Sequence, residues 1–478
     1  LENKISKAND SLKLAPQEVQ SDPYYKVAAG EALLMEGKIN EASQLFNQAL
    51  DNTKEKNAGI LAAIAKAQTR SDKGDMNFAI DLLNKALKRD KHNSELYVLL
   101  GNAYRKQANG SEAYKAYHKA IEENPNDASA YHNLGEIFLT QKNAELYLDY
   151  FNKAITVDPA YAPSLYRLYA YEFYHDPVKA MSYHKQYVSH SDPSIQNQYD
   201  MADLLYLNKK YDDAIRIAEK LEKLEGNHVK PRLYKLMSYS YAALRDTVNA
   251  LTNMKTYFGR EADSNLISKD YIAMGEYYLS QPGIASDSLA TANIEKGIAI
   301  EKDSAVLYNL YKKMATIANQ KKDFSNEAHW LEKNYNGNPS VTNLDLFNWG
   351  LALYRGEDYE GADSIFGLYT VKYPDQSFGY YWQAKSRALQ DKEMKQGLAV
   401  SAYEKLIDVL QKDTTDANYK KWMVEAYGYL AAYEVNTEMD YAQAVNYFEK
   451  VLQVDPDNES AKKYIAMLEK SSLQKMDD

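Results

Sequence analysis

The stretch SELYVLLGNAYRKQANGSEAYKAYHKAIEENPND (94–127) is followed directly by ASAYHNLGEIFLTQKNAELYLDYFNKAITVDPAY (128–161), and the two blocks of 34 residues align without a gap. Matching residue types stand at Tyr97 and Tyr131, Leu100 and Leu134, Gly101 and Gly135, Tyr104 and Phe138, Tyr117 and Phe151, Ala120 and Ala154, and Pro125 and Pro159. Self-similarity at a fixed period of this length indicates a repeat architecture.

Each block has the pattern of two helices joined by a turn. In Ser94–Lys106 the apolar residues recur at helical spacing and lie on one face. Gln107–Ser111 is predicted to be the turn, with Gly110 supplying backbone freedom and Ser111 the N-cap. The second helix carries the stripe Ala113, Tyr117 and Ala120 and ends before Pro125, which cannot continue a helix. Because one hairpin cannot bury both of its faces, it needs neighbouring hairpins.

These features resemble the tetratricopeptide repeat (TPR) family, whose unit carries the pattern W-x2-L-G-x2-Y, A-x3-F and P. The first element is present as YVLLGNAY (97–104) and YHNLGEIF (131–138), with tyrosine in place of tryptophan, and the second as AYKAYHKA (113–120). The resemblance implies an all-α, right-handed α-solenoid (superhelix) of TPR helix-turn-helix repeats. It also implies a non-enzymatic scaffold that binds a protein or an extended peptide in its concave groove.

The same offsets recur along most of the chain. We expect about twelve TPR units over 23–458, a polar lead-in or partial helix that ends before Pro16 within 1–22, and a capping helix and tail over 459–478. Two turns are predicted to be longer than the repeat requires, Ser280–Ser288 and Gln390–Gly397. Such insertions either are tolerated because they cost little or shape a binding edge.

Composition excludes several functional classes. The 478 residues carry a net charge of -10 without a basic block, which argues against nucleic acid or an anionic membrane surface as the main partner. No apolar run reaches the roughly 18 residues of a membrane span. Cysteine is absent, which excludes disulfides and thiolate chemistry. Because the sequence begins at Leu1, we expect that an upstream segment was removed, and an extracytoplasmic location is favoured over a cytoplasmic one.

Motifs that carry catalysis were not found. The sequence has no GxxxxGK[ST], no GxGxxG after a strand, no GxSxG and no HExxH. The densest histidine cluster is His175, His184 and His190, but the last two are six positions apart and so fall on opposite sides of a helix. The sequence therefore predicts neither an enzyme nor a metal or cofactor site.

Residues that follow the packing positions of the first helices are predicted to point into the groove. In the early units these are polar, as at Asn102 and Arg105. In later units most are aromatic: Tyr166, Phe173, Tyr199, Tyr206, Tyr239, Phe347, Tyr354, Phe378, Tyr381, Tyr429 and Tyr433. Tyrosine offers a rigid apolar surface and a hydroxyl, which suits peptide or sugar binding. The alternative is that these rings only fill a tightly wound superhelix.

Two further hypotheses follow from the family. Some TPR proteins hold a peptide carboxylate with two asparagines and basic residues, and Asn102, Asn133 and Arg167 match part of that pattern, although Val98 and Pro163 replace its lysines. The alternative is an exported glycan-binding or nutrient-uptake component of a bacterial envelope, because some helical-repeat outer-membrane proteins that resemble TPR arrays bind glycans, although their insertions are much longer than those in this sequence. Because the period is regular, a protein or peptide ligand is favoured over a glycan.

Overall fold

The computed structural model describes residue 12 and residues 14–476 of the chain, and its contacts form two compact units that divide after Arg260. Both units consist of α-helices, and no strand occurs among the described residues. Each unit is an α-solenoid in which consecutive helices pair as antiparallel hairpins and each hairpin packs on the next.

The first unit contains a short helix, α1 (Gln17–Gln20), and seven helix pairs. The pairs are α2 (Pro23–Met35) with α3 (Ile39–Thr53), α4 (Ala58–Arg70) with α5 (Met76–Leu87), α6 (Ser94–Lys106) with α7 (Gly110–Glu123), α8 (Ala128–Thr140) with α9 (Ala144–Val157), α10 (Ala162–His175) with α11 (Pro177–Ser189), α12 (Ile195–Leu207) with α13 (Tyr211–Glu225), and α14 (Arg232–Ala243) with α15 (Thr247–Arg260). The expected partial helix before Pro16 falls mainly outside the described residues, and α1 follows that proline.

The second unit contains five pairs and a closing helix, α26 (Glu459–Met476). The pairs are α16 (Ser268–Leu279) with α17 (Ile284–Ile300), α18 (Ser304–Gln320) with α19 (Phe324–Gly337), α20 (Asn343–Arg355) with α21 (Tyr359–Lys372), α22 (Ser377–Gln390) with α23 (Val400–Lys412), and α24 (Tyr419–Tyr433) with α25 (Tyr441–Val454). A single turn of π-helix, Glu434–Glu438, extends α24.

Close approach of the paired helices explains the repeated glycine. A Cβ atom built on Gly101 would lie 2.4 Å from the Tyr117 ring, and one built on Gly135 would lie 2.5 Å from the Phe151 ring. Both rings are almost completely buried. Glycine at this position therefore lets the aromatic ring of the second helix lie against the backbone of the first.

The predicted turn chemistry was wrong in its details. The second helix begins at Gly110, and the N-cap is Asn109, whose side chain accepts a hydrogen bond from the Glu112 amide, rather than Ser111. The left-handed residue of the turn is Ala108, with φ of 59°, rather than Gly110. Lys142 takes the same conformation, with φ of 58°, in the turn of the next pair. The repeat thus forces a left-handed residue at this position without requiring glycine.

The predicted long turn at Ser280–Ser288 is also wrong. Helix α16 ends at Leu279 and α17 begins at Ile284, so most of the additional residues lengthen the second helix. At the other predicted insertion the chain does form an extended connection, since α22 ends at Gln390 and α23 begins at Val400. Inside it, the buried Asp391 carboxylate accepts a hydrogen bond from the Gln396 amide at 2.9 Å.

Candidate functional site

All fifteen predicted groove residues lie on the first helices of their pairs, namely α6, α8, α10, α12 and α14 in the first unit and α20, α22 and α24 in the second. First helices of consecutive pairs contact one another within each unit. We call the surface they share the first-helix face. Three of the fifteen side chains, Asn133, Tyr199 and Tyr381, are buried there and offer a ligand almost no surface.

Tyr199 holds the connection between α13 and α14 instead of facing solvent. Its ring is 1% exposed, and its hydroxyl accepts a hydrogen bond from the Lys230 amide at 3.0 Å. The hydroxyl also donates to the Glu225 carboxylate. The Lys230 ammonium and the Arg232 guanidinium lie 4.9 and 5.2 Å from the ring centroid. Tyr199 is therefore a packing residue, and we withdraw it as a ligand contact.

Tyr381 belongs to a buried network in the second unit. Its ring stacks on Trp422 at 4.3 Å between centroids, and its hydroxyl donates to the Glu425 carboxylate at 3.0 Å. Lys385 donates to the same carboxylate at 2.8 Å. Burial raises the pKa of the Tyr381 hydroxyl, and the Glu425 charge acts in the same direction. The neutral phenol is thus a hydrogen-bond donor that joins α22 to α24.

Charged side chains of the first-helix face are paired with one another. The Arg167 guanidinium binds both carboxylate oxygens of Glu136, at 2.6 and 2.9 Å, and Arg105 approaches the same carboxylate at 3.8 Å. His132 lies 3.7 Å from Glu136 and 3.0 Å from the Ser164 hydroxyl. Burial lowers the pKa of His132 to about 4, against the opposing effect of Glu136. This cluster bridges three consecutive first helices.

The carboxylate-holding hypothesis does not fit this arrangement. Arg167 is already bound to Glu136, and Asn133 is buried. The Asn102 amide oxygen accepts a hydrogen bond from the Tyr117 hydroxyl at 2.7 Å. The three residues therefore serve contacts within the protein, and we do not pursue them as a carboxylate site.

An aromatic cluster surrounds the helix α10. The Tyr166 ring lies 5.9 Å from Tyr169 and 5.4 Å from Tyr187, and the Phe173 ring lies 5.8 Å from Tyr169. Tyr174 contacts Phe173 at 4.8 Å. Tyr166 is 42% exposed and Tyr174 is 83% exposed, whereas Tyr169 is buried. We call Tyr166, Tyr169, Phe173, Tyr174 and Tyr187 the α10 cluster.

A second exposed apolar patch lies on the second unit. Phe378 contacts Phe347 at 5.9 Å and Trp422 at 5.3 Å, both edge to face. Phe378 is 43% exposed, and Leu344, one turn before Phe347, is 60% exposed. Trp422, which Phe378 contacts, is buried. We call Leu344, Phe347 and Phe378 the α20–α22 patch.

The remaining predicted aromatics are half-buried. The Tyr206 ring lies 5.7 Å from Tyr211, and the Tyr354 ring lies 4.9 Å from Trp382. Tyr429 lies 4.6 Å from Tyr403, and burial raises the pKa of its hydroxyl to about 12. The Tyr433 hydroxyl donates to Glu438 at 2.6 Å. Tyr239 is half-buried on α14. These rings offer a ligand only part of their surface.

Sequence reasoning missed Tyr174 and Leu344, which are the two most exposed apolar side chains of these patches. Tyr174 directly follows the predicted Phe173, close to the end of α10. The offsets stopped at Phe173, and a rule that extended them by one position would have found Tyr174. Leu344 stands at the second position of α20, as the predicted Phe378 does in α22, but it was not predicted because only aromatic residues were taken from that position in the later units.

Other kinds of site were also sought. Across residue 12 and residues 14–476, no group of three or more histidine, aspartate or glutamate side chains is placed to hold a metal ion. Every helix in that part of the chain is too short or too polar to span a lipid bilayer. Of the histidines that lie close together in the sequence, His184 is buried and His190 is exposed.

Comparison with protein-family models identifies the repeat. Residues 70–137 match one model and residues 128–161 and 438–458 match another, and both are described as tetratricopeptide repeat. The search of curated proteins gave no match.

Solved structures similar to the chain include three bacterial proteins. The C-terminal part of a TPR repeat-containing protein from Cytophaga hutchinsonii is 28% identical, with 55% of this chain and 98% of that chain covered and a TM-score of 0.34. A tetratricopeptide repeat protein from Parabacteroides merdae is 19% identical, with 53% and 96% covered and a TM-score of 0.31. PilF from Pseudomonas aeruginosa is 18% identical, with 47% and 95% covered and a TM-score of 0.34. With scores this low, these likenesses assign no ligand.

Proposed function

We propose that this chain, which is a tetratricopeptide repeat protein and so belongs to a class of protein-interaction scaffolds, binds an extended segment of another protein along its first-helix face. Each unit offers its own contact surface, the α10 cluster in the first unit and the α20–α22 patch in the second, and each is proposed by itself. Binding of this kind requires no chemical step of the protein. Because the surface is preformed, the entropy cost of ordering falls on the ligand.

The exposed aromatic rings of α10 are the observation that supports this proposal most strongly. Tyr166 and Tyr174 expose large parts of their rings beside Phe173, while the charged groups of neighbouring first helices are paired internally. Arg167 binds Glu136, and Arg232 binds Asp203. A ligand that approached through charge would have to break these pairs. Apolar and aromatic contact is therefore the cheaper source of affinity, and exposed aromatic residues are typical binding hot spots.

The second unit supports a similar mode of binding. Leu344 and Phe378 expose apolar surface on the first turns of α20 and α22. Phe378 rests edge to face on the buried Trp422, which fixes the orientation of its ring. A rigid ring loses little conformational entropy when a ligand covers it, which makes this patch suited to recognition.

Site-specific cross-linking tests the proposal. A photoreactive p-benzoylphenylalanine is placed at position 174 or 378 in cells that produce the protein, and adducts are identified by mass spectrometry. Matched controls carry the same group at Val248 on α15 and at Val371 on α21, which are 61% and 79% exposed but lie on second helices. We expect defined protein adducts from positions 174 and 378 and not from the controls.

Two outcomes would contradict the proposal. Equal adducts from all four positions would indicate nonspecific contact, and adducts from the controls alone would move the binding surface to the second helices. If no position captures protein, the glycan hypothesis is tested next, by binding of wild-type protein to a glycan array. Retention of an oligosaccharide that is lost on Tyr174→Ala would then replace the peptide proposal.

A further inference from the structure

His184, on α11, lies directly beneath the α10 cluster. Its side chain is fully buried, with an exposed fraction of 0%. The imidazole ring lies 4.9 Å from the Tyr169 ring and 6.4 Å from the Tyr187 ring. Tyr169 contacts Phe173, and Tyr187 contacts Tyr166. His184 is therefore linked to Tyr166 through one ring, that of Tyr187 or Tyr169, and to Tyr174 through two, those of Tyr169 and Phe173.

Neither nitrogen of the His184 ring has a hydrogen-bond partner within the protein. The neutral ring leaves one N–H donor unsatisfied, and a protonated ring would leave two. A buried polar group without a partner is costly, and a buried charge without one is costlier still. The site thus tolerates the neutral ring and strongly disfavours the charged one.

The junction between α11 and α12 contains further groups of this kind. Among the described residues, eight buried side-chain atoms lack a partner, and four of them belong to His184, Ser191 and Asn197. Ser191 lies in the connection between the two helices and Asn197 lies in the first turn of α12. Neither Ser191 nor Asn197 makes a hydrogen bond to the His184 ring through these atoms.

The groups around the ring set the direction of its titration. Burial lowers the pKa of His184 below its ordinary value of 6.5, and the Asp200 carboxylate of α12 opposes that effect. Asp200 accepts a hydrogen bond from the Gln196 amide at 2.7 Å. The other titratable groups facing the ring are Tyr169 of α10 and Tyr187 of α11. Burial raises the pKa of the Tyr169 hydroxyl, so that group adds no charge that would favour the imidazolium.

We infer that His184 makes the ligand-facing surface of the first unit sensitive to pH: at mildly acidic pH its protonation requires α11 to separate from α10 and α12, which disorders the α10 cluster and weakens ligand binding. The inference concerns regulation of the surface assigned above and so rests on the proposed function for its biological meaning. The conformational change itself needs no ligand.

The direction of the pH effect follows from the linkage between proton binding and opening. The folded state keeps His184 neutral, while the opened state binds a proton with the ordinary pKa of about 6.5. Opening is therefore unaffected above that value and becomes favoured as pH falls below it. Between pH 7.5 and pH 5.5 the opened population rises by up to about tenfold for one such group.

Hydrogen exchange measured by mass spectrometry on the full chain tests this directly. Protection factors, corrected for the intrinsic exchange rate, are compared at pH 7.5 and pH 5.5. We expect protection over α10–α12 to fall by up to about tenfold at the lower pH. The internal reference is the pair α4 and α5, which contains no histidine and should change little.

Two variants and the NMR resonance of the His184 imidazole complete the test. Because His132 contacts Ser164 on α10 and also titrates, the comparison is made in a His132→Gln background. In that background His184→Phe should have protection over α10–α12 that does not depend on pH, whereas His190→Phe, at an exposed position, should behave like the parent with His184 intact. If His184→Phe does not fold, His184→Met is used in its place. The wild-type imidazole resonance of His184 should titrate below 6.5. Unchanged protection in wild type, the same pH response in His184→Phe, or a His184 resonance titrating at or above 6.5 would each overturn the inference.

A loss of cross-linking at positions 174 and 378 would defeat the proposed function without touching this result, because exchange is measured in the absence of ligand. Conversely, pH-independent exchange would leave the proposed binding surface in place and remove only its regulation.

Discussion

The helices α4 and α10 are both first helices of the same unit, yet they present opposite surfaces. On α4 the exposed side is made of small residues, Ala58, Gly59, Ala62 and Ala63, and lines a groove of about 260 Å³. The α10 helix instead exposes Tyr166 and Tyr174, and the residue three periods before Tyr166 is Ile64, which is fully buried in α4. The buried sides of both helices are alike in being apolar. The same repeat position is therefore a packing position in one helix pair and exposed in another, so the repeat alone does not decide which residues of a first helix can meet a ligand.

Two tyrosines on neighbouring first helices should differ most in how much their loss lowers the free energy of unfolding. Tyr199→Ala should destabilise the first unit by about 3–5 kcal/mol, because it removes a buried ring and leaves the Lys230 amide without its acceptor. Tyr174→Ala removes an exposed ring and should cost less than about 0.5 kcal/mol. Urea unfolding of both variants checks this. Equal losses would show that exposure does not separate packing aromatics from ligand-facing ones.

The packing side can be broken with one methyl group. Gly101→Ala should destabilise by about 2–3 kcal/mol, because the new Cβ would lie 2.4 Å from the Tyr117 ring and force the hairpin apart. The matched control is Gly259→Ala near the end of α15, where an added Cβ meets nothing within 4 Å. That change should stabilise by about 0.5–1 kcal/mol. A Gly101→Ala variant as stable as wild type would disprove the close-approach explanation of the repeated glycine.

A smaller effect on the free energy of unfolding is expected from the titration of His132, which belongs to the charged cluster around Glu136. Because burial lowers the pKa of His132 to about 4, the unfolded state takes up a proton near 6.5 that the folded state refuses. Stability contributed by neutral His132 is therefore complete above about pH 6.5 and is lost as pH falls towards 4, by about 2 kcal/mol at pH 5.

Urea unfolding at pH 7.5 and pH 5 measures this loss in wild type and in His132→Gln, which cannot titrate. The difference between the two proteins should grow by that amount in favour of the variant at pH 5. A difference that stays constant would mean that Glu136, 3.7 Å away, holds the imidazolium in the folded protein.

Much of the fold could be predicted from the sequence because the repeat is a local pattern. The bounds of α6 and the role of Gly101 follow from apolar spacing and from the size of Tyr117. Local patterns do not reveal how additional residues are absorbed. At Ser280–Ser288 they lengthen α17. Residues added to a helix gain hydrogen bonds for their backbone N–H and C=O groups, which residues in a loop do not.

The candidate site could be predicted only in part, because the offsets place a residue on a face without showing what covers it. Tyr199 has the offset of a ligand-facing residue, but the Gly226–Pro231 connection folds over it and Lys230 and Arg232 pack on its ring. Tyr166 has the same offset on α10 and remains 42% exposed. The length and path of the connection after the second helix decide between the two, and neither is encoded in the first helix.

The most direct test of the central claim is the affinity of the segment captured by cross-linking at position 174, measured by calorimetry against three proteins. The account predicts that Tyr166→Ala/Tyr174→Ala weakens binding by about tenfold or more relative to wild type, whereas Lys66→Ala, on the exposed side of α4, changes it by less than about twofold. A larger loss from Lys66→Ala than from the tyrosine pair would place recognition on the small-residue surface and contradict the account.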